Sequence, residues 1–391
     1  MKVTLIKFST KIAAFVVLAS FAVSCSHLLP PSPAENEILD GPIEGLTMEQ
    51  QRIFLAGDEA FGDLIFSPET GLGPIFVQAS CGSCHAGDGK GHPFTALKRF
   101  GKMESGAFNH LLDAGGPQLQ NRAIPGSTVE KIPGDATGIT TFIPPAVTGL
   151  GFLEAVKDQT FLDLADPNDD DGDGISGTVN YINPPWYFEP KAHHIPNNGK
   201  YIGRFGRKAG AVNLLNQTVG ALKQDMGITS DFDMVDPINY NVSSQHVDGV
   251  PDPEIAAATI HDIVFYLRTL KAPIHRNEKE KDFAAGKNIF LTIGCDKCHT
   301  PSMTTGDSDI KVLSNKTFSP YSDMLMHDMG QELDDGYTEG SASTAEWRTT
   351  PLWGIGLAPD AQGDQHFLMH DGRASIFEEA IDLHGGSRNV R

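Results

Sequence analysis

Cys81-Gly82-Ser83-Cys84-His85 and Cys295-Asp296-Lys297-Cys298-His299 are two copies of one pattern, and their reading decides what kind of chain this is. Two thiols three positions apart can each add to a vinyl group of a single haem. The histidine that follows is then held beneath the iron as its proximal ligand. Each copy therefore predicts one covalently bound c-type haem, with His85 and His299 on the two irons. The alternatives for a Cys-x-x-Cys pair are zinc binding and thiol redox chemistry. A zinc site built from all four cysteines would leave both histidines unexplained. The approach to the motif repeats as well, since Ile75-Phe76 and Ile289-Phe290 each lie six residues ahead of their first cysteine. The pattern is that of a duplicated cytochrome domain.

The rest of the chain sets the frame. At 391 residues with 40% hydrophobic content it is long enough for two or three soluble domains with a sizeable core. Residues 1–24 read as an export signal: Lys2, Lys7 and Lys11 precede an apolar run, Ile12 to Val23, too short to span a bilayer. The run ends at Cys25, which resembles a bacterial lipoprotein cleavage site; ordinary signal-peptidase cleavage beside an incidental cysteine is the alternative. Four of the five cysteines sit in the haem motifs, and the fifth is Cys25. An unpaired thiol on an exported protein is unusual unless it is modified. The expectation is a periplasm-facing protein, anchored to a membrane only through a lipid on Cys25, or otherwise periplasmic. The formal charge of −20 argues against nucleic acid and anionic lipid as partners. A small basic electron-donor cytochrome or a membrane quinol-linked donor complements it; solubility alone would also account for it.

Residues 25–46 read as a tether, rich in Pro, Glu and small residues. A helical pattern begins at Thr47, with Ile53, Phe54 and Phe61 as core candidates. Between His85 and Ile255 lies far more chain than a minimal cytochrome needs. Within that insertion, Asp169, Asp171 and Asp173 place oxygen ligands at alternate positions, with a glycine, Gly174, at the turn. The twelfth position is Asn180 rather than the bidentate Glu of an EF-hand, so the segment is a candidate Ca²⁺ loop or a solvated acidic turn. Ile255, Ala258, Thr259, Ile263, Tyr266, Leu267 and Leu270 make a helical stripe that ends before Pro273. A first domain therefore spans 47–272. A second helix, 282–290, leads into the second motif, and a second domain spans 276–391.

Three later stretches read SPYSDMLMHDMGQELDDG (319–336), EWRTTPLWGIG (346–356) and FLMHDGRASIFEEAIDLHGG (367–386). With GRFGRKA (203–209) and QDMGITS (224–230), they resemble the bacterial di-haem oxidoreductase family. That family is distantly related to the di-haem cytochrome c peroxidases and to the di-haem enzyme that matures a tryptophan-derived quinone. The resemblance covers nearly everything after residue 50. It implies a mainly α fold of two cytochrome c-like domains, each with one haem and the first carrying the long insertion.

In the peroxidases the second haem takes a distal Met fourteen residues after the His of a His-x-Gly motif. Here that motif is His370-Asp371-Gly372, and the position fourteen later is His384. Ile376, Phe377, Ala380, Ile381 and His384 fall on one helical face, which by itself fits a buried imidazole, either on iron or bonded to backbone. Imidazole in place of thioether lowers a haem potential. The resemblance also implies that Gln217 and Asp225 line the open face of the first haem, with Asp225 moving peroxide protons; an amphipathic surface helix is the alternative. The distal ligand of the first haem stays open among His92, His110, His193 and His194. His327 and Met329 are candidates to line a haem, and Trp353, Trp347 and Phe205 to lie between the two. The family continues with another helix past His384, so a shortened second domain is expected. The implied activity is reduction of hydrogen peroxide; a non-catalytic electron-transfer cytochrome and an oxidase acting on a protein side chain are the alternatives.

Overall fold

The computed structural model describes residues 41–243, 248–276 and 278–385. The export signal, Cys25 and most of the tether expected from the sequence lie outside them. Eight α-helices lie among these residues: α1 Met48–Gly62, α2 Leu150–Glu154, α3 Asp158–Leu164, α4 Leu214–Met226, α5 Ala257–Thr269, α6 Lys281–Thr292, α7 Ala358–Gln362 and α8 Phe377–Asp382. None is long and apolar enough to cross a membrane.

The helices that begin well are the ones with local reasons to do so. Thr47 caps α1: its hydroxyl accepts from Gln50 N at 3.2 Å, while the Gln50 side chain accepts from Thr47 N at 3.0 Å. Phe54, Gly57 and Phe61 are the buried face of α1, and they pack on α5, where Ile260, Ile263, Val264, Tyr266 and Leu267 are buried. Phe54 and Tyr266 pack with their rings tilted at 53° and their centres 5.0 Å apart. The two backbones approach so closely at Gly57 that a Cβ there would lie 2.1 Å from the Asp262 carbonyl. α4 and α2 pack on the same helix.

The expectation of a mainly α protein is overturned. Helix, short 3-10 turns included, accounts for 29% of the described residues and strand for 15%. The segment between His85 and Ile255 carries antiparallel ribbons: Leu97–Glu104 pairs with Ala107–Asn109 and Gly138–Phe142, and Tyr181–Ile182 with Tyr201–Ile202. The second half carries two more ribbons, Met303–Thr304 with Thr317–Phe318 and Met326–Asp328 with Glu346–Arg348. The physical reason lies in composition. The chain has 41 glycines and 25 prolines, each costing a helix interior about 1 and about 3 kcal/mol relative to alanine. Four of the eight helices are accordingly only five to seven residues long.

One junction fixes the first motif relative to α4. Val77 N and Gln78 N both donate to the Asp225 carbonyl, at 2.6 and 3.0 Å, and Gly73 N donates to Met226 O at 3.1 Å. α4 ends there because Gly227 takes φ +70, with its N–H turned back to Leu222 and Lys223. A Cβ on Gly73 would lie 2.5 Å from Gly227 O. The two glycines let the segment leading to Cys81 lie flat against the end of the helix.

Candidate functional site

The two motifs fold into the same tight turn. Cys84 N and His85 N both donate to Cys81 O at 3.0 Å. Cys298 N and His299 N likewise turn back to Cys295 O. All four cysteines are free, so neither pair is a disulfide despite its spacing.

Cys81, Cys84 and His85 stand on the wall of a cavity of about 200 Å³. Its apolar lining includes Phe61, Leu153, Leu214, Leu222, Ile263 and Leu267 from α1, α2, α4 and α5. Burial pushes both thiols up to about 12, with Asp225 adding to the effect. A redox-active or zinc-binding cysteine needs the opposite shift. Burial also pulls His85 down to about 4, which keeps its imidazole neutral at pH 7, the form that ligates a metal.

Gln217 and Asp225 line the same cavity, alongside Thr218, Ala221 and Met226. They are therefore on the inward face of α4, not on a solvated one. Asn213 caps this helix by accepting from Asn216 N at 2.8 Å, and Leu214 N donates to Glu154 at 2.7 Å. Asp225 Oδ1 accepts from Gln118 Nε2 at 2.6 Å. Burial raises the Asp225 pKa, against the opposing pull of that hydrogen bond and of Arg99. Gln118 is 1% exposed and also donates to Gln224 O. Arg99, paired with Glu339, holds the Gln224 side chain at 2.8 Å. This supporting shell comes from the inserted ribbon and was invisible in the sequence, where Gln118 and Arg99 belong to no motif.

None of the four histidines considered for the first iron lines this cavity. His92 accepts from Phe94 N and packs between the Phe94 and Phe367 rings. His110 packs on Phe108 and Tyr337. His193 and His194 stack on each other at 4.3 Å, with the Phe188 ring 5.2 Å from His194. The cavity instead carries three cations that sequence reasoning did not single out, Lys90, Arg207 and Arg348. Phe205 and Trp353 are on its wall as well. Trp347 is not: it lies stacked on His370 at 3.7 Å, with the Lys208 ammonium 3.7 Å from its ring centre.

At the second motif, His299 Nδ1 donates to Tyr321 O at 2.9 Å, and His384 Nδ1 donates to Ala380 O at 2.7 Å. A carbonyl on one ring nitrogen fixes the tautomer and leaves the other nitrogen as the ligand atom, the arrangement found behind metal-bound histidines. The two ring centres are 6.4 Å apart. Metal–imidazole bonds of about 2.0–2.1 Å put the ring centres of two trans imidazoles roughly 6 Å apart. Burial, opposed by the Tyr321 carbonyl, takes His299 down to about 4. The helices that lead to these histidines leave Ile289, Ile293, Ile376, Phe377 and Ile381 about half exposed, apolar surface of the kind a porphyrin would cover. Both motifs thus fit a haem, by donor set and by lining.

His327 is buried beside the second motif. Its Nδ1 lies 2.8 Å from Ser176 O and 3.6 Å from Cys298 Sγ, and its Nε2 lies 2.7 Å from Asp323. Burial pulls its pKa down, but Asp323 and Cys298 hold it up to about 11. Met329 packs in the small core around Leu333, Tyr337 and Trp347. The acidic loop does not assemble as its spacing suggested. Carboxylates of Asp166, Asp169 and Asp171 converge, whereas Asp173 turns away to Lys297, inside the second motif, at 2.9 Å.

No curated protein matches the chain. A solved structure of Kuenenia stuttgartiensis hydrazine synthase, pressurised with 20 bar xenon, aligns over 93% of this chain and 90% of that one, at 14% identity and a TM-score of 0.35. Likeness that loose fixes nothing here. The profile of the family described as "Di-haem oxidoreductase, putative peroxidase" matches residues 137–390, well over half of the chain and including the second motif and His384. On that match, the chain belongs to the di-haem oxidoreductase family.

Proposed function

We propose that this protein is an exported di-haem c-type cytochrome that reduces hydrogen peroxide with electrons from a small basic cytochrome or another small donor. The observation that carries the reading is the unlike surroundings of the two motifs. A carboxyl group and an amide share the first cavity with Cys81, Cys84 and His85, while the second motif faces another imidazole.

In this reading Cys81, Cys84 and His85 hold one haem, and Cys295, Cys298, His299 and His384 hold the other. Haem supplies the electrons and the iron to which peroxide would bind. Reduction of peroxide to two waters takes two electrons and two protons. Asp225 is placed to take the first peroxide proton and return it to the departing oxygen, a role that requires a carboxyl pKa nearer neutrality; burial pushes it that way. Gln118 holds one carboxylate oxygen, leaving the other for the proton. Gln217, two turns earlier on α4, offers an amide to orient the peroxide. The apolar lining keeps bulk water from competing.

The rival is a pure electron carrier, and the His299–His384 pair favours it for the second motif alone. Peroxide turnover by the wild type separates the two, since a pure carrier has none, and Asp225→Asn then tests the residue. The enzyme reading expects peroxide turnover to fall about 10²-fold or more with both haems still attached. Unchanged turnover would remove Asp225 from the chemistry. Attachment to a membrane through Cys25 remains part of this proposal, checked by the mass of the mature N-terminus.

A further inference from the structure

Arg207, Arg348 and Lys90 share the wall of the first cavity, and they are oddly placed for a chain with 50 acidic and 30 basic residues. Arg207 and Arg348 are 5% and 8% exposed. Among the described residues their hydrogens go to uncharged acceptors. Arg207 Nε and Nη2 donate to Ile143 O at 3.2 and 2.8 Å. Arg348 Nε donates to Gly206 O, and its Nη1 to Thr349 O, both at 3.0 Å; Lys90 donates to Phe367 O. The carboxylates that act on the two arginines from a distance, Asp371 and Asp323, pair instead with Arg373 and His327.

Arg207 also meets like charge from Arg348 and imposes it on Lys90. Burial and Arg348 take Arg207 down to about 9, and burial and Arg207 take Lys90 down to about 7. Buried cations without counter-ions are costly unless something brings the missing negative charge. Other chains of the same length could place glutamates here; this one leaves the anion to come from outside.

We infer that Arg207, Arg348 and Lys90 bind the two propionate carboxylates of the haem attached at Cys81 and Cys84. The inference rests on the reading that a haem fills this cavity, and it adds how that haem is oriented: its carboxylate edge lies toward Arg207 and Arg348, and its vinyl edge toward the thiols. The planar guanidinium fork suits a carboxylate. Lys90, five residues past His85, closes the third side from the motif's own loop. The other charged or titratable groups on the cavity wall, Cys81, Cys84, His85 and Asp225, offer no substitute cation at pH 7.

The test uses mature holoprotein carrying haem labelled with ¹³C in its propionate carboxyls. Mass first establishes two haems in wild type, Arg207→Gln, Arg207→Lys and Arg348→Gln. A wild type without haem at Cys81 and Cys84 would sink the functional reading rather than this one. Infrared spectra of the label from pH 5 to 9 then decide. In wild type and Arg207→Lys all labelled carboxyls should be ionised throughout. In Arg207→Gln or Arg348→Gln a labelled protonated-carboxyl band should appear near neutral pH, because a buried propionate without its cation takes up a proton. Glutamine variants with two haems and a wild-type spectrum would overturn the assignment, and would mean that the three cations await an anionic substrate. A protonated labelled band in wild type at neutral pH that Arg207→Gln and Arg348→Gln leave unchanged would likewise overturn it.

Discussion

The two Cys-x-x-Cys-His turns have the same backbone and opposite surroundings. The first opens into a lined cavity with a carboxyl, an amide and three cations on its walls and no second imidazole. The second lies among half-exposed apolar side chains and faces His384 at 6.4 Å. A duplicated attachment motif therefore says where haem is tied and nothing about what it does. The neighbours decide, and they come from elsewhere in the chain: α4 and the inserted ribbon for the first, α8 for the second. On the proposed reading, a haem at the first motif would have one imidazole and a carboxyl group beside it and would be suited to react, whereas one at the second would have two imidazoles and would be suited to pass electrons.

That contrast can be broken most sharply at Asp225. Peroxide turnover in Asp225→Asn should drop about 10²-fold or more, while the absorption spectrum of the second haem stays as in wild type. A change at both haems would mean that the two regions are not separate in function. On the other side, His384→Met should raise the midpoint potential of the second haem, by a fraction of the ~0.8 V range that axial ligands span. Redox titration reads it directly; an unmoved potential would take His384 off the iron.

A smaller effect sharpens the first region further. Gln118→Leu removes the hydrogen bond that favours the charged form of Asp225. Bonds to charged groups are worth about 1.5–3 kcal/mol, so turnover should fall roughly tenfold. The sign for pH follows: burial already raises the Asp225 pKa and Gln118 lowers it, so its loss raises the pKa again. The acid limb of the rate profile should move to higher pH. Movement to lower pH, or none, would contradict the placement. The smallest effect belongs to Lys297→Ala, which cuts the link between the second motif and Asp173. Exposed ion pairs contribute about 0–1 kcal/mol, so thermal unfolding should shift little, and a large loss would show that the acidic loop supports the second region.

What could be read in advance follows the range of the physics. His384 was reached through the family resemblance, and its helical stripe adds only that the imidazole faces the apolar side. The two motifs are local, so spacing located them. The capping of α1 at Thr47 and the core stripe of α5 were legible for the same reason, although Ile260 replaces Ala258 on the buried face. The mainly α expectation failed where the insertion pairs strands at distances of many residues, as Phe100 does with Ile139, because register across a gap of that length leaves no periodic trace. The same long range hid Gln118, which reaches Asp225 across 107 positions, and hid Arg207 and Arg348, whose meaning depends on what is missing around them. In the acidic loop, spacing brought out Asp169 and Asp171, whose carboxylates converge, but gave no sign of Asp166 beside them or of the Lys297 pairing with Asp173.

The claim on which the rest depends is that two unlike haems sit at these two motifs. Electron paramagnetic resonance of the mature protein, with its haem content fixed by mass at two, tests it most directly. The account predicts one low-spin signal typical of two imidazoles and one high-spin signal, seen as isolated or after one-electron reduction, that disappears when peroxide is added. Two low-spin signals that ignore peroxide in every redox state would contradict it.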